Sequence, residues 1–225
     1  MKKKVWIVVI AVVIITAAVI VYFATRPEEP ALVPNGPPSN NNQNNHKPVI
    51  YLYPEEPTDV TVILNFSGVL DVTYPAYHDG WNVMAYPDGT IINHRDGREY
   101  SYLFWEGRCE AKYDFSAGFI VKGGDMVEFL QEKLSFMGLL PKEYNEFIVY
   151  WLPLMQDNAY NFVTFQGQAY TDTAELIITP APDSILRVFM TFVSLDEPFE
   201  IEEQVLSPFI RIGFTVVEWG GCEIR

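Results

Sequence analysis

Two short stretches of the chain place an acid, a tryptophan and a cysteine close together. Trp105-Glu106-Gly107-Arg108-Cys109 ends one expected strand, and Glu218-Trp219-Gly220-Gly221-Cys222 ends another. Two carboxylates beside aromatic rings are the equipment of glycoside hydrolysis, in which apolar surroundings keep one acid protonated while its partner stays ionised. Glu106 and Glu218 are therefore the candidate catalytic residues, and Trp105 and Trp219 the candidate binding platforms. The two acids meet only if the strand ends are drawn together. A Cys109–Cys222 disulfide would do this, closing a long loop worth about 4 kcal/mol in the chain-entropy model. An even cysteine count on an exported domain favours the bridge, with two separate thiols as the alternative. The plainer reading lets each glutamate accept turn amides and each tryptophan fill core, and it outweighs the catalytic one.

Other chemistries find less support. A Cys–His nucleophile would need His78 or His94, and neither lies in a nucleophile motif. These are the two histidines beyond position 47, far apart in sequence, where zinc asks for several converging ligands. His78-Asp79-Gly80 reads as a turn. The chain has no calcium-loop pattern, phosphate-cradling glycine loop or nucleophile elbow. Neither a metal nor a cofactor is expected.

The elements that would carry these residues begin with an anchor. Val5 to Ala24 is uncharged and apolar, directly after Lys2-Lys3-Lys4. Twenty helical residues span roughly 30 Å, the thickness of a bilayer's hydrocarbon layer. Trp6 and Tyr22 suit its two interfaces, and the lysines predict residues 1–4 on the cytoplasmic side. A cleaved signal peptide is the competing reading, but the run is too long and ends on bulky residues. Residues 25–47 are rich in proline and asparagine without apolar periodicity, so they read as a flexible tether. Residues 48–225 have the length and apolar content of one domain.

Charge narrows the partners. Beyond Arg26 lie eleven basic and twenty-nine acidic residues, a formal net charge of −18. Such a field repels nucleic acid, leaving solubility as the main reading and a cell-envelope protein or glycan as the candidate partner.

Within the domain the pattern is mostly β. Val49–Tyr53 is a short apolar strand. Residues 59–67 alternate, with Val60, Val62, Leu64 and Phe66 on one face, and Val69–Tyr74 returns after Gly68. Trp81–Tyr86 leads through Pro87-Asp88-Gly89-Thr90, and Asp96-Gly97 leads into residues 98–105, together predicting an antiparallel meander. A helix is expected from Asp125, capped with Glu128, carrying Met126, Leu130, Leu134 and Met137 inward and ending at Gly138. Pro141–Glu146 suggests one more short turn. Strands are then expected over Phe147–Leu152, Tyr160–Phe165, Ala174–Thr179, Ile185–Val193 and Ile210–Trp219, the fourth central because both its faces are apolar. The expected class is α+β: an antiparallel sheet with one or two packed helices, preceded by a single transmembrane helix.

Four runs carry a family resemblance: Lys47-Pro48-Val49-Ile50-Tyr51-Leu52-Tyr53-Pro54, Tyr102 to Gly107, Glu146 to Pro153, and Gly213-Phe214-Thr215-Val216-Val217-Glu218-Trp219-Gly220-Gly221. Together they resemble a group of exported or membrane-anchored bacterial proteins whose domain opens with this first run. The resemblance implies an extracytoplasmic domain and assigns no catalytic residue. Cys109 and Cys222 fall outside its pattern. The expected role is a binding or interaction module at the cell envelope, with a glycan-directed hydrolase using Glu106 and Glu218, or an envelope scaffold, as alternatives.

Overall fold

The structure, a computed structural model, describes residues 43–224, with side chains from Lys47 onward. The expected anchor at 5–24 and the tether up to residue 42 lie outside the described residues. Among those described, no helix is long and apolar enough to cross a membrane.

The described chain is mostly β and forms two sheets, which corrects the α+β expectation of one antiparallel sheet. In order, the strands are β1 (Gln43–Tyr53), β2 (Thr58–Phe66), β3 (Val69–Tyr74), β4 (Trp81–Ala85), β5 (Ile91–Asn93), β6 (Glu99–Tyr100), β7 (Leu103–Cys109) and β8 (Ala117–Lys122). Two helices follow, α1 (Met126–Phe136) and α2 (Pro141–Met155). The remainder is β9 (Tyr160–Gln166), the single turn α3 (Gln168–Thr171), β10 (Ala174–Thr179), β11 (Ser184–Leu195), β12 (Glu202–Glu203) and β13 (Thr215–Glu223). The larger sheet runs β12-β8-β9-β11-β13-β1-β7-β3, and the smaller runs β10-β2-β4-β5-β6. Two adjacent pairs of the larger sheet, β11 with β13 and β12 with β8, are parallel.

The expected meander fails because short links change sheet where a hairpin was read. Gly68 separates β2 from β3, yet β2 pairs with β10 and β4 while β3 pairs with β7 in the other sheet. The expected strand 98–105 is likewise two strands, β6 in the small sheet and β7 in the large one. Across Pro180-Ala181-Pro182-Asp183, β10 and β11 also part company. Where the turn chemistry was explicit, the hairpins form: Gly89 at φ +91° joins β4 to β5, and Gly97 at φ +67° joins β5 to β6.

Two cores result. Between the sheets lie Ile50, Leu52, Val60, Val62, Trp81, Trp105 and Val216 among others. On the other face of the large sheet, α1 and α2 bury Leu130, Leu134, Phe147 and Trp151 against Val49, Tyr51, Val217 and Trp219. The large sheet is thus covered on both faces, which is why β11 and β13 carry apolar residues on both of their faces.

Local differences have local causes. The helix α1 starts after a 3-10 turn, and Asp125 makes no side-chain cap, so the expected capping box is absent there. A carboxylate cap appears on α2 instead, where Glu143 accepts from the Leu140 N–H at 2.7 Å. That helix overrides the expected strand at Phe147–Leu152. Its buried residues, Glu143, Phe147, Ile148, Trp151 and Met155, follow helical spacing, which a short apolar run conceals. Pro153 sits in its last turn, and the carbonyl it leaves unbonded belongs to exposed Val149. Strand β13 begins at Thr215 rather than Ile210, because Gly213 turns at φ +53° and Ile210 and Ile212 are exposed. At the other end, β1 starts at Gln43, inside the expected tether. Its backbone pairs there with β7.

Candidate functional site

The strand β1 carries an irregularity. Asn45 pairs with Gly107 and Val49 with Phe104 on one side, while His46 pairs with Gly221 and Val49 with Trp219 on the other. Both ladders slip by one residue, so β1 bulges between His46 and Val49. At the bulge Lys47 has φ +49°, a left-handed conformation that costs a non-glycine residue about 1–2 kcal/mol. It also precedes Pro48, where ring crowding already restricts the backbone. Bulges re-aim side chains. Here the Lys47 ammonium lies 5.0 Å from the centre of the Tyr150 ring and 5.5 Å from that of Trp219. Gly220 leaves room for the bulge, since a Cβ there would meet Pro48 Cα at 2.9 Å, and Gly221 leaves room for α2, since a Cβ there would meet the Trp151 ring at 2.8 Å.

Lys47 opens into a cleft of about 390 Å³ lined by Tyr74, Tyr102, Phe104, Glu106 and Tyr150. Strands β1, β3 and β7 provide its floor and α2 one wall. Behind it, Tyr51 donates to Glu146 Oε2 at 3.0 Å and meets the Tyr102 ring edge-on at 5.4 Å. The electrostatics tie the group together. Burial pulls the Lys47 ammonium below its ordinary value, while Glu146 pushes back. Burial and Glu146 raise the Tyr102 phenol, and burial and Glu106 raise that of Tyr150. One lysine between two carboxylates, walled by tyrosine and phenylalanine, can hold a ligand with an apolar face and hydroxyl or other polar edges. Each of the four runs quoted for the family resemblance reaches this place: Lys47 from the first, Tyr102, Phe104 and Glu106 from the second, Glu146 and Tyr150 from the third, Trp219 from the fourth.

The residues singled out from sequence fare differently. Trp105 lies in the core between the sheets, so Phe104 and Glu106, its neighbours along β7, project to the helix side. Trp219 lies in the helix-side core, and Glu218 projects between the sheets. The two glutamates therefore stand on opposite faces of one sheet and do not form a carboxylate pair. Both tryptophans are wholly buried and offer no platform to a ligand. Glu218 is occupied with Arg187, whose Nε donates to its Oε2 at 2.6 Å, and with the Trp105 indole at 3.3 Å.

Nor does a disulfide join Cys109 and Cys222. Their strands, β7 and β13, flank β1 on either side. Two strand spacings of about 4.8 Å exceed the roughly 7 Å that a disulfide can span between Cα atoms. Both thiols are buried beside Tyr113, whose phenol is pushed far up by burial first and then by Cys222 and Cys109. His94 bonds Asp59 at 2.7 Å on the small sheet, and His78 is exposed in a turn. Among the described residues, no group of three or more His, Cys, Asp or Glu could hold a metal ion.

Of the cleft, Glu106 was anticipated by residue type. Lys47, Glu146, Tyr102 and Tyr150 were not, since nothing along the chain marks them as neighbours. The available signal was Pro48, since a proline, which cannot donate to a ladder, sits within a strand mainly at an edge or a bulge.

Over 64 residues the chain is 47% identical to the "Uncharacterized protein in bglA 3'region" of Butyrivibrio fibrisolvens, a match covering 27% of this chain. The chain spans 65% of the length of that relative. No family model and no solved structure matches it.

Proposed function

We propose that this protein is a membrane-tethered, extracytoplasmic binding module that takes a sugar ring of an envelope glycan in the Lys47 cleft. The observation that carries the reading is Lys47 itself, held in a strained left-handed conformation that places its ammonium at the cleft. Backbone strain of this kind persists where the surroundings enforce it and clusters at functional sites. The cleft volume lies in the lower part of the ~300–1,000 Å³ range of small-molecule sites, suiting a small ligand. Tyrosine and phenylalanine faces suit the C–H side of a sugar, while Glu106, Glu146 and Lys47 suit its hydroxyls. The location rests on the basic-flanked apolar run Val5–Ala24, and protease protection of the C-terminal domain in intact cells is its test.

Lys47→Gly separates binding from folding. Glycine accepts φ +49° freely, so about 1 kcal/mol of strain is relieved as the ammonium is removed. The relieved strain offsets the lost ring contacts and the added chain entropy, so the unfolding midpoint is expected to stay close to that of the wild type, while glycan-array signal from the purified full chain is lost. Tyr150→Ala should lose the signal as well. Wild-type binding by Lys47→Gly would sink the proposal, and cleavage of bound oligosaccharide that depends on Glu106 would turn it toward hydrolysis.

A pH dependence follows from the burial of Lys47. Its folded pKa is lowered from 10.5, so the ammonium is present below that lowered value and lost above it. Affinity is expected to fall on the alkaline side with a midpoint below 10.5, measured by titration calorimetry across pH. A ligand held equally well above and below that midpoint would show that the ammonium makes no contact.

A further inference from the structure

The far edge of the large sheet is unfinished. The edge strand β12 pairs with β8 only at Glu202–Ala117 and Glu203–Gly118. Beyond that point the chain turns away, because the Gln204 amide clasps both backbone groups of Phe165, accepting from its N–H at 2.8 Å and donating to its carbonyl at 2.7 Å. Residues 119–122 of β8 pair with β9 on their inner side, and no strand among the described residues pairs with their outer side.

A groove of about 870 Å³ runs along this edge between α1 and the 199–203 segment. Its sides carry Asp125, Glu128, Glu132, Glu200 and Glu203 against two lysines. One of those, Lys133, is already held by Glu132 at 3.1 Å and Glu203 at 3.9 Å. Lysines at a sheet edge also guard against unwanted pairing. Here, however, acids outnumber them, so the field repels a second copy of this acidic chain and attracts a basic one.

We infer that the outer edge of β8 accepts an extended, lysine- or arginine-rich peptide segment of a partner protein, added as a further strand. Strand addition draws affinity from the main chain and specificity from alternate side chains. The ladder bonds would form with residues 119–122. Basic side chains on the helix side meet Glu128 and Glu132, and the alternate, apolar ones turn to the other face, toward Ile201. This surface lies on a different part of the sheet from the Lys47 cleft, so the two readings stand or fall separately.

The probe is a short peptide of alternating lysine and valine, titrated into the full chain by calorimetry. The free edge predicts saturable binding that weakens as salt screens the exposed charges. Methylating alternate peptide nitrogens on the pairing edge removes ladder bonds and should weaken binding about tenfold or more. The exposed substitutions Glu128→Lys, Glu132→Lys and Glu203→Lys together should do likewise, whereas Lys47→Gly should leave binding unchanged. Equal binding by the methylated peptide would overturn the inference, showing attraction by charge without strand addition. Undiminished binding by the triple variant, no binding by the parent peptide, or self-association of the chain through this edge would overturn it as well.

Discussion

Glu218→Gln is expected to destabilise the domain by about 3–5 kcal/mol, the usual penalty for leaving one member of a buried ion pair without its counter-charge. Glu218 and Arg187 oppose each other on the parallel strands β13 and β11, with side chains 1% and 12% exposed. The rest of the guanidinium lies over the Tyr170 ring at 4.8 Å, and that ring stacks on Phe189 at 4.0 Å. Such an enclosure gives Arg187 little water to recruit if the carboxylate is removed. Urea unfolding measures the loss, read as a shift in midpoint at unchanged slope. Replacing both partners by apolar residues, Arg187→Met with Glu218→Leu, should recover much of it, since an unpaired charge costs more than a missing pair. A loss below about 1 kcal/mol for Glu218→Gln would place the pair with surface salt bridges and refute the assignment.

The second buried pair should respond unequally to its two deletions. Glu143 is wholly buried, whereas the Arg211 side chain is 21% exposed. Arg211→Met therefore strands a buried carboxylate without its counter-charge, beside the Leu140 N–H and the Tyr53 phenol, at about 3 kcal/mol or more. Glu143→Gln leaves a guanidinium that reaches solvent and still donates to the Gly138 carbonyl at 2.9 Å. It keeps an amide able to cap α2, so its cost should be nearer the ~1 kcal/mol of a weakened cap. Unfolding of the two variants side by side checks the order. If Glu143→Gln proves the more damaging, burial does not govern this pair.

These two pairs show why part of the molecule was hidden. Arg187 and Glu218 are 31 positions apart and become partners only because β11 and β13 lie parallel. Nothing at either position distinguishes a buried charge from a solvated one. The same holds for Lys47 and Tyr150, joined by a bulge in β1 and a helix that was read as a strand. By contrast, the alternation in β2 and the spacing of Met126, Leu130 and Leu134 in α1 were legible, because those periods belong to the backbone itself. Glycine at 89 and 97 marked its turns for a similar reason: positive φ is a local demand.

By itself the sequence determined which residues form most strands and the first helix, the apolar lines that face inward, and the acidic balance of the domain. Each follows from forces acting within a few residues, or from simple sums over the chain. Tertiary structure alone decided which strand lies beside which. It separated Glu106 from Glu218 by a sheet, held Cys109 and Cys222 two strand spacings apart, and gathered Lys47, Glu106, Glu146 and Tyr150 around one cleft. Strand order is set by the packing of whole layers. A side chain's face depends on register, and one extra residue in β1 is enough to re-aim Lys47.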